Sequence, residues 1–124
     1  MPSSEQQQTV AIITTFPRKF FLEMSPRQFV RAFFAMNDDD SIYWQCKFGA
    51  PPTRDVVYCY IVAENRIRYR ANIAGFEPGG LRVFGDGRSA TARSWMILTA
   101  PVIKAPYRIE RRGFQGFRYS GIIF

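Results

Sequence analysis

The sequence predicts an α+β fold: a small mixed β-barrel of five to six strands with one helix packed at one end. Three observations predict it. A single stretch, SPRQFVRAFFAM (25–36), repeats its apolar residues at helical spacing. The other apolar residues fall into short alternating or β-branched runs, and Gly- and Pro-rich corners separate those runs.

Residues 1–8, MPSSEQQQ, are polar and read as a frayed tail, with a single domain over 9–124. TVAIITTF (9–16) is short and β-branched, a buried strand that Pro17 ends. In the helix, Ser25 is placed as N-cap, Pro26 at the first helical position and Gln28 as the capping-box partner. Phe29, Ala32, Phe33 and Met36 form its apolar stripe. NDDD (37–40) stops it, because carboxylates oppose the dipole at a helix C-terminus. Three consecutive aspartates also resemble a metal-ligand cluster, but on a turn they read as solvated, and no metal site is assigned.

SIYWQCKF (41–48) alternates as a half-buried strand, with Trp44, Cys46 and Phe48 against Tyr43, Gln45 and Lys47. GAPPTRD (49–55) is a turn and VVYCYIV (56–62) a central strand, apolar on both faces. AEN (63–65) joins it to RIRYRANIAGF (66–76), which alternates Ile67, Tyr69, Ala71 and Ile73 with Arg66, Arg68, Arg70 and Asn72. EPGGLRVFGDGRSA (77–90) reads as a Gly-rich loop, SWMILTA (94–100) as a strand, and Pro101 to Arg112 as an irregular crossing. FRYSGIIF (117–124) closes the chain as the last strand.

Composition narrows the chemistry. The chain carries no histidine, which removes His-based acid–base catalysis and His metal ligands. Its two cysteines, Cys46 and Cys59, read as reduced, buried, small apolar residues, although one disulfide is conceivable. No secretory leader and no 18-residue apolar run stand out, so a cytoplasmic protein outside the membrane is expected. Fourteen arginines and three lysines against ten acids leave a net charge of +7. That balance favours anionic partners: nucleic acid, an acidic protein face or a membrane surface. Arginine adds bidentate phosphate binding and stacking to plain charge.

Four features carry possible function. Arg66, Arg68 and Arg70 on one strand face would be spaced about 7 Å apart, near the phosphate spacing of an extended strand. The alternative is an ordinary solvent face. Tyr43, Trp44 and Trp95 are candidates to wall a base pocket, near Lys47 and Gln115. GDG (85–87), between Arg82 and Arg88, lacks both the GxxxxGK[ST] pattern and a following helix, so it is a turn and not a phosphate loop. A Lys–Thr–carboxylate set from Lys19 or Lys47, Thr14 or Thr15 and Glu23 has no supporting spacing, and no catalytic residue is assigned.

RDVVYCYI followed by RIRYRANIAGFEPG resembles PUA-like domains of the ASCH and EVE groups, in which a "GD-V-hydrophobic-Y" strand leads into an alternating strand. Asp55, Val57 and Tyr60 fall on that pattern, and Arg54 stands where the family has Gly. SWMILTAPVIKAPYRIERRGFQGFRY is similar to the same groups' closing segment. The resemblance covers roughly residues 40–124. It implies a pseudo-barrel with a cleft beside the helix. EVE relatives hold modified, flipped-out bases; ASCH relatives are linked to RNA, and a few are amidohydrolases of acetylated cytidine. The ASCH signature G-x-K-x-x-E-x-R has no counterpart in NDDDSIYWQCKF beyond Lys47, which leaves the amidohydrolase set without support. Trp44 is the candidate for the EVE pocket's tryptophan.

RRGFQGFRY (111–119) also has the grain of an RRM strand, basic residue then Gly and aromatics. Gln115 shifts Phe117 off that register, and one helix precedes almost every strand, so Gly113 and Gly116 are read as a bend and Phe114 and Phe117 as a barrel seal. Function is therefore expected to be a nucleic-acid or modified-nucleotide binding module without a cofactor. Tyr43, Trp44, Lys47, Trp95 and Gln115 would line the ligand; Arg66, Arg68, Arg70 and Arg118 would meet phosphates. A small nucleoside amidohydrolase and a protein-interaction module, such as a phage or mobile-element inhibitor, are the alternatives.

Overall fold

A computed structural model describes residues 11–15, 26–83, 87, 89–113 and 116–121. The expectations for Ser25, Phe114, Gln115, the side chains of Pro26 and Phe29, and the tail lie outside them. Six strands form one mixed sheet: β1 (Ala11–Thr15), β2 (Trp44–Phe48), β3 (Tyr58–Ala63), β4 (Arg66–Val83), β5 (Ser89–Glu110) and β6 (Phe117–Ser120). Their order is β2-β5-β4-β3-β1-β6. β1 runs parallel to β3, and every other neighbouring pair is antiparallel. The sheet curls into a half-barrel around helix α1 (Pro26–Phe34), which continues as a 3₁₀ turn over Ala35–Asn37.

The curl is held where the two edges of the sheet approach. Phe48 at the end of β2 stacks on Phe117 at the start of β6, with centroids 5.2 Å apart. Phe76 meets Phe48 edge-on at 5.1 Å. Phe117 thus does the sealing expected of it. Gly116, at φ +76°, makes the left-handed turn into β6 that other residues resist.

The concave face carries the main core. Phe33 and Met36 are fully buried there with Ile12, Cys59, Ile61, Ala71, Met96 and Leu98. Val30 and Phe34 also pack in, so the apolar stripe of the helix is wider than its spacing suggested. On the other face Ala11, Ile13, Tyr60, Val62 and Ile67 make a second cluster. Both cysteines are free thiols. Burial pushes the Cys46 thiol up to about 12, and burial first, then Cys46, holds Cys59 well above its ordinary value. Thiolate is the reactive form. Iodoacetamide at pH 8 is therefore expected to modify neither cysteine until the protein is denatured, as read by intact mass.

Several boundaries differ from the sequence reading. Residues 41–43 are not strand, because the Asp39 carboxylate accepts hydrogen bonds from the Ser41 amide (2.9 Å) and hydroxyl (2.7 Å) and turns the chain. The Ser41 hydroxyl, more than its amide, lowers the Asp39 pKa. Glu64 and Asn65, both at left-handed φ, close a two-residue hairpin between β3 and β4.

The largest correction concerns 77–90 and 101–112, read as loop and crossing. Residues 77–83 with 89–90 at one end, and 101–110 at the other, belong to one long hairpin, β4 against β5, while Gly85, Asp86 and Arg88 of the expected turn lie outside the described residues. Pro78 is tolerated because β3 pairs with β4 only as far as Asn72, leaving an open edge where no N–H is required. Gly79 is there because the backbones touch: a Cβ would stand 2.1 Å from the Arg93 carbonyl oxygen. Gly79→Ala is expected to cost about 1.5 kcal/mol, read by urea denaturation. Pro101 and Pro106 sit in register shifts. β5 spends residues 100–102 where β4 spends Ala71, and residues 105–108 where β4 spends Arg68. These extra residues bend the hairpin and need no ladder hydrogen bond from proline.

Candidate nucleic-acid interface

The proposed base pocket is not assembled as one wall. Trp44 pairs with Leu98 and Lys47 with Trp95 across β2 and β5. Alternation then sends the two tryptophans to opposite faces. Trp44 joins the concave core, edge-on to Phe33 at 5.6 Å. Trp95 is fully buried on the other side. Its indole N–H donates to the Gly80 carbonyl at 3.2 Å, and Arg82 lies over its ring at 5.4 Å. Arg82 in turn binds the Gln45 side chain and the Glu77 carboxylate, the latter at 2.7 Å. Trp95 is thus built into the sheet. Tyr43 is 54% exposed just ahead of β2, and Lys47 is exposed two pairs along from Gln45.

The arginine stripe is broken too. A register shift between Ile61 and Val62 pairs Val62 with Ile67 but Ile61 with Tyr69, so Arg68 is an inserted residue. Ile67 consequently shares the outer face with Arg70, not with Tyr69. Arg66 stands opposite Ala63 and Glu110. Arg68 reaches Glu64 at 3.2 Å. Arg70 lies over the Tyr58 ring at 4.2 Å. Arg118 is exposed, and donates to the Phe117 carbonyl at 3.0 Å. Register places Arg118, Ile13, Tyr60 and Arg70 in one row across β6, β1, β3 and β4. Arg70 and Arg118 therefore share the outer face, about 14 Å apart along the sheet at the usual strand spacing.

What the fold does bring together is a basic end. The start of β4 pairs with the end of β5, and the Arg111 amide donates to the Asn65 carbonyl at 3.0 Å. Residues 64–70 and 103–112 hold seven basic side chains and two acids, so five of the seven excess positive charges lie here. Lys104, Arg108, Arg111 and Arg112 are exposed. The wide bulge over 105–108 carries Tyr107 outward, 57% exposed, beside the Arg68 position. Arg108 pairs with Glu110, but both are about two-thirds exposed, and such a pair is screened and weak. Sequence reading passed over Lys104, Tyr107 and Arg108, and took Arg111 and Arg112 only as the basic start of RRGFQGFRY. The signal was present as YRIERR (107–112), obscured by the two prolines before it.

At the opposite rim, the 49–57 loop is tied to β6. The Thr53 amide donates to the Tyr119 phenol oxygen at 3.1 Å, and Arg54 covers the ring at 4.9 Å. The Thr53 hydroxyl is the main cause of a lowered Tyr119 pKa. Asp55 and Val57, on the PUA-like pattern, are exposed on this loop, whereas Tyr60 is buried in β3. Among the described residues no group of three His, Cys, Asp or Glu side chains converges as a metal site, and no helix is long and apolar enough to cross a membrane. Compared with protein-family models, curated proteins and solved structures, the chain finds no match.

Proposed function

We propose that the protein is a nucleic-acid or nucleotide-binding module of PUA-like type that meets phosphates with its basic end. The observation that carries the reading is the gathering of five of seven excess charges where β4 begins and β5 ends, around exposed Tyr107. Guanidinium groups there neutralise phosphates and release condensed counterions, which gives affinity without sequence choice. Tyr107 offers a ring on which a base can stack. The PUA-like assignment is supported by the RDVVYCYI and RIRYRANIAGFEPG pattern and is compatible with a curled mixed sheet.

Fluorescence anisotropy with labelled single-stranded and duplex DNA and RNA, repeated over a salt series, tests it. Affinity is expected to fall linearly in log–log form with salt, with a slope reporting about three to five phosphate contacts. Absence of binding at low salt overturns the reading.

A further inference from the structure

The basic end holds two aromatic residues that face different surroundings. Tyr69 is buried, edge-on to Phe33 and Phe34 in the concave core. Tyr107 is 57% exposed, between Pro106 and Arg108 in the bulge of β5. That bulge is pinned on both sides, by the pair Tyr69–Lys104 before it and the pair Ile67–Ile109 after it. Pro106 stiffens it from within, fixing its own φ and confining Ala105 to extended backbone. The ring is thus held out on a short stretch of chain that is closed at both ends.

The charges that follow the ring are held as well. The Arg111 amide is tied to the Asn65 carbonyl at 3.0 Å. Gly113 then passes against the end of β1, where a Cβ would stand 3.3 Å from Thr15 Cγ2. Five residues separate Tyr107 from Arg112, a reach of at most about 18 Å. One short length of nucleic acid can therefore meet the ring and the guanidinium groups of Arg108, Arg111 and Arg112 together. Duplex and single strand answer to these features differently. Both offer phosphates, and the duplex releases more counterions per contact. Over about three contacts that favours the duplex by about fourfold at about 0.1 M salt. The ring, in contrast, needs the flat face of a base. A duplex keeps that face inside its stack and yields it only when the base is unpaired and extruded. An unpaired strand offers such faces freely, and one stacked base is worth about tenfold to a hundredfold in affinity. The ring pulls against the charge and outweighs it.

We infer that the basic end selects single-stranded nucleic acid: one unpaired base lies flat on Tyr107 while the adjoining phosphates follow Arg108, Arg111 and Arg112. This rests on the nucleic-acid reading and narrows its ligand to strands with unpaired bases. The ring supplies the choice between strand and duplex, and the arginines supply affinity that both share.

Anisotropy of the full chain with three labelled probes tests it: a short oligothymidine strand, an abasic strand of the same length, and a duplex of that length. The wild type is expected to bind the oligothymidine at least about tenfold tighter than the abasic strand, and several-fold tighter than the duplex. Tyr107→Ala is expected to bring the oligothymidine down to the abasic strand and put the duplex ahead. Its salt slope and thermal melting should stay as they were, because no charge and no buried side chain is removed. Tyr107→Trp, which keeps a ring, should keep the preference. Equal affinity of the wild type for the oligothymidine and the abasic strand overturns the proposal and leaves the phosphate reading standing. A preference that survives Tyr107→Ala does the same. Absence of binding to all three probes at low salt overturns both.

Discussion

Replacing Arg108, Arg111 and Arg112 together by alanine is expected to weaken binding to any nucleic acid roughly a thousandfold at low salt, and to lower the salt slope by about three. All three are exposed at the end of β5, and they sit beside Arg66 and Arg68 from β4. Removing Arg108 also leaves the Glu110 carboxylate, its present partner, uncompensated on the same surface. The loss should be nearly uniform across sequences, since phosphate contacts carry no base information. Exchanging the three for lysine should keep most of the slope, because charge survives while bidentate geometry does not. Stability should change by no more than about 0.5 kcal/mol, as expected for exposed side chains. Anisotropy over the same salt series reads the binding, and thermal melting reads the control.

Asn37→Ala is expected to destabilise the fold by about 2–3 kcal/mol, measured by urea denaturation. Asn37 ends the 3₁₀ turn, and its amide does what a neighbouring strand would do. Its Nδ2 donates to the Val102 carbonyl at 2.8 Å, and the Val102 amide donates to its Oδ1 at 2.7 Å. Val102 is 2% exposed and lies in the stretch of β5 that bulges away from β4. Without Asn37 that buried peptide loses both partners. Asn37→Asp should lose nearly as much at neutral pH, because a carboxylate oxygen would then face the Val102 carbonyl. Protonating it restores a donor. The variant should regain stability as pH falls through its raised carboxyl pKa, the reverse of ordinary acid destabilisation.

Short segments with one consistent period were legible. Trp44–Phe48 and Tyr58–Ala63 show their strands because each residue's face is set locally. Helix α1 shows itself by spacing and its stop by the aspartates that follow, whereas the 3₁₀ form of its last turn had no signal in the sequence. The long hairpin was not legible because glycine and proline report local freedom, whereas Gly79 answers to a carbonyl fourteen residues away and Pro78 to the absence of a third strand. The broken arginine stripe has the same origin. Nothing in RIRYR marks Arg68 as the inserted residue; the register that β3 imposes does. Trp44 and Trp95 belong to different faces for a reason visible only in their pairing with Leu98 and Lys47. Net charge gives the size of the basic excess, but where the charge gathers depends on which strand ends meet.

The contact between Phe48 and Phe117 gives the half-barrel a clasp instead of a weld. Elsewhere neighbouring strands are joined by ladders, which resist shear as a unit. Here the first and last strands of the sheet are joined by rings, which can separate singly. β6 has four residues and only β1 as its ladder partner, so tension on the C-terminal end would peel it from the β2 side first. In amide exchange the same asymmetry should make β6 open well before the central β3–β4 pair, the barrel unlatching along this line while its middle stays closed.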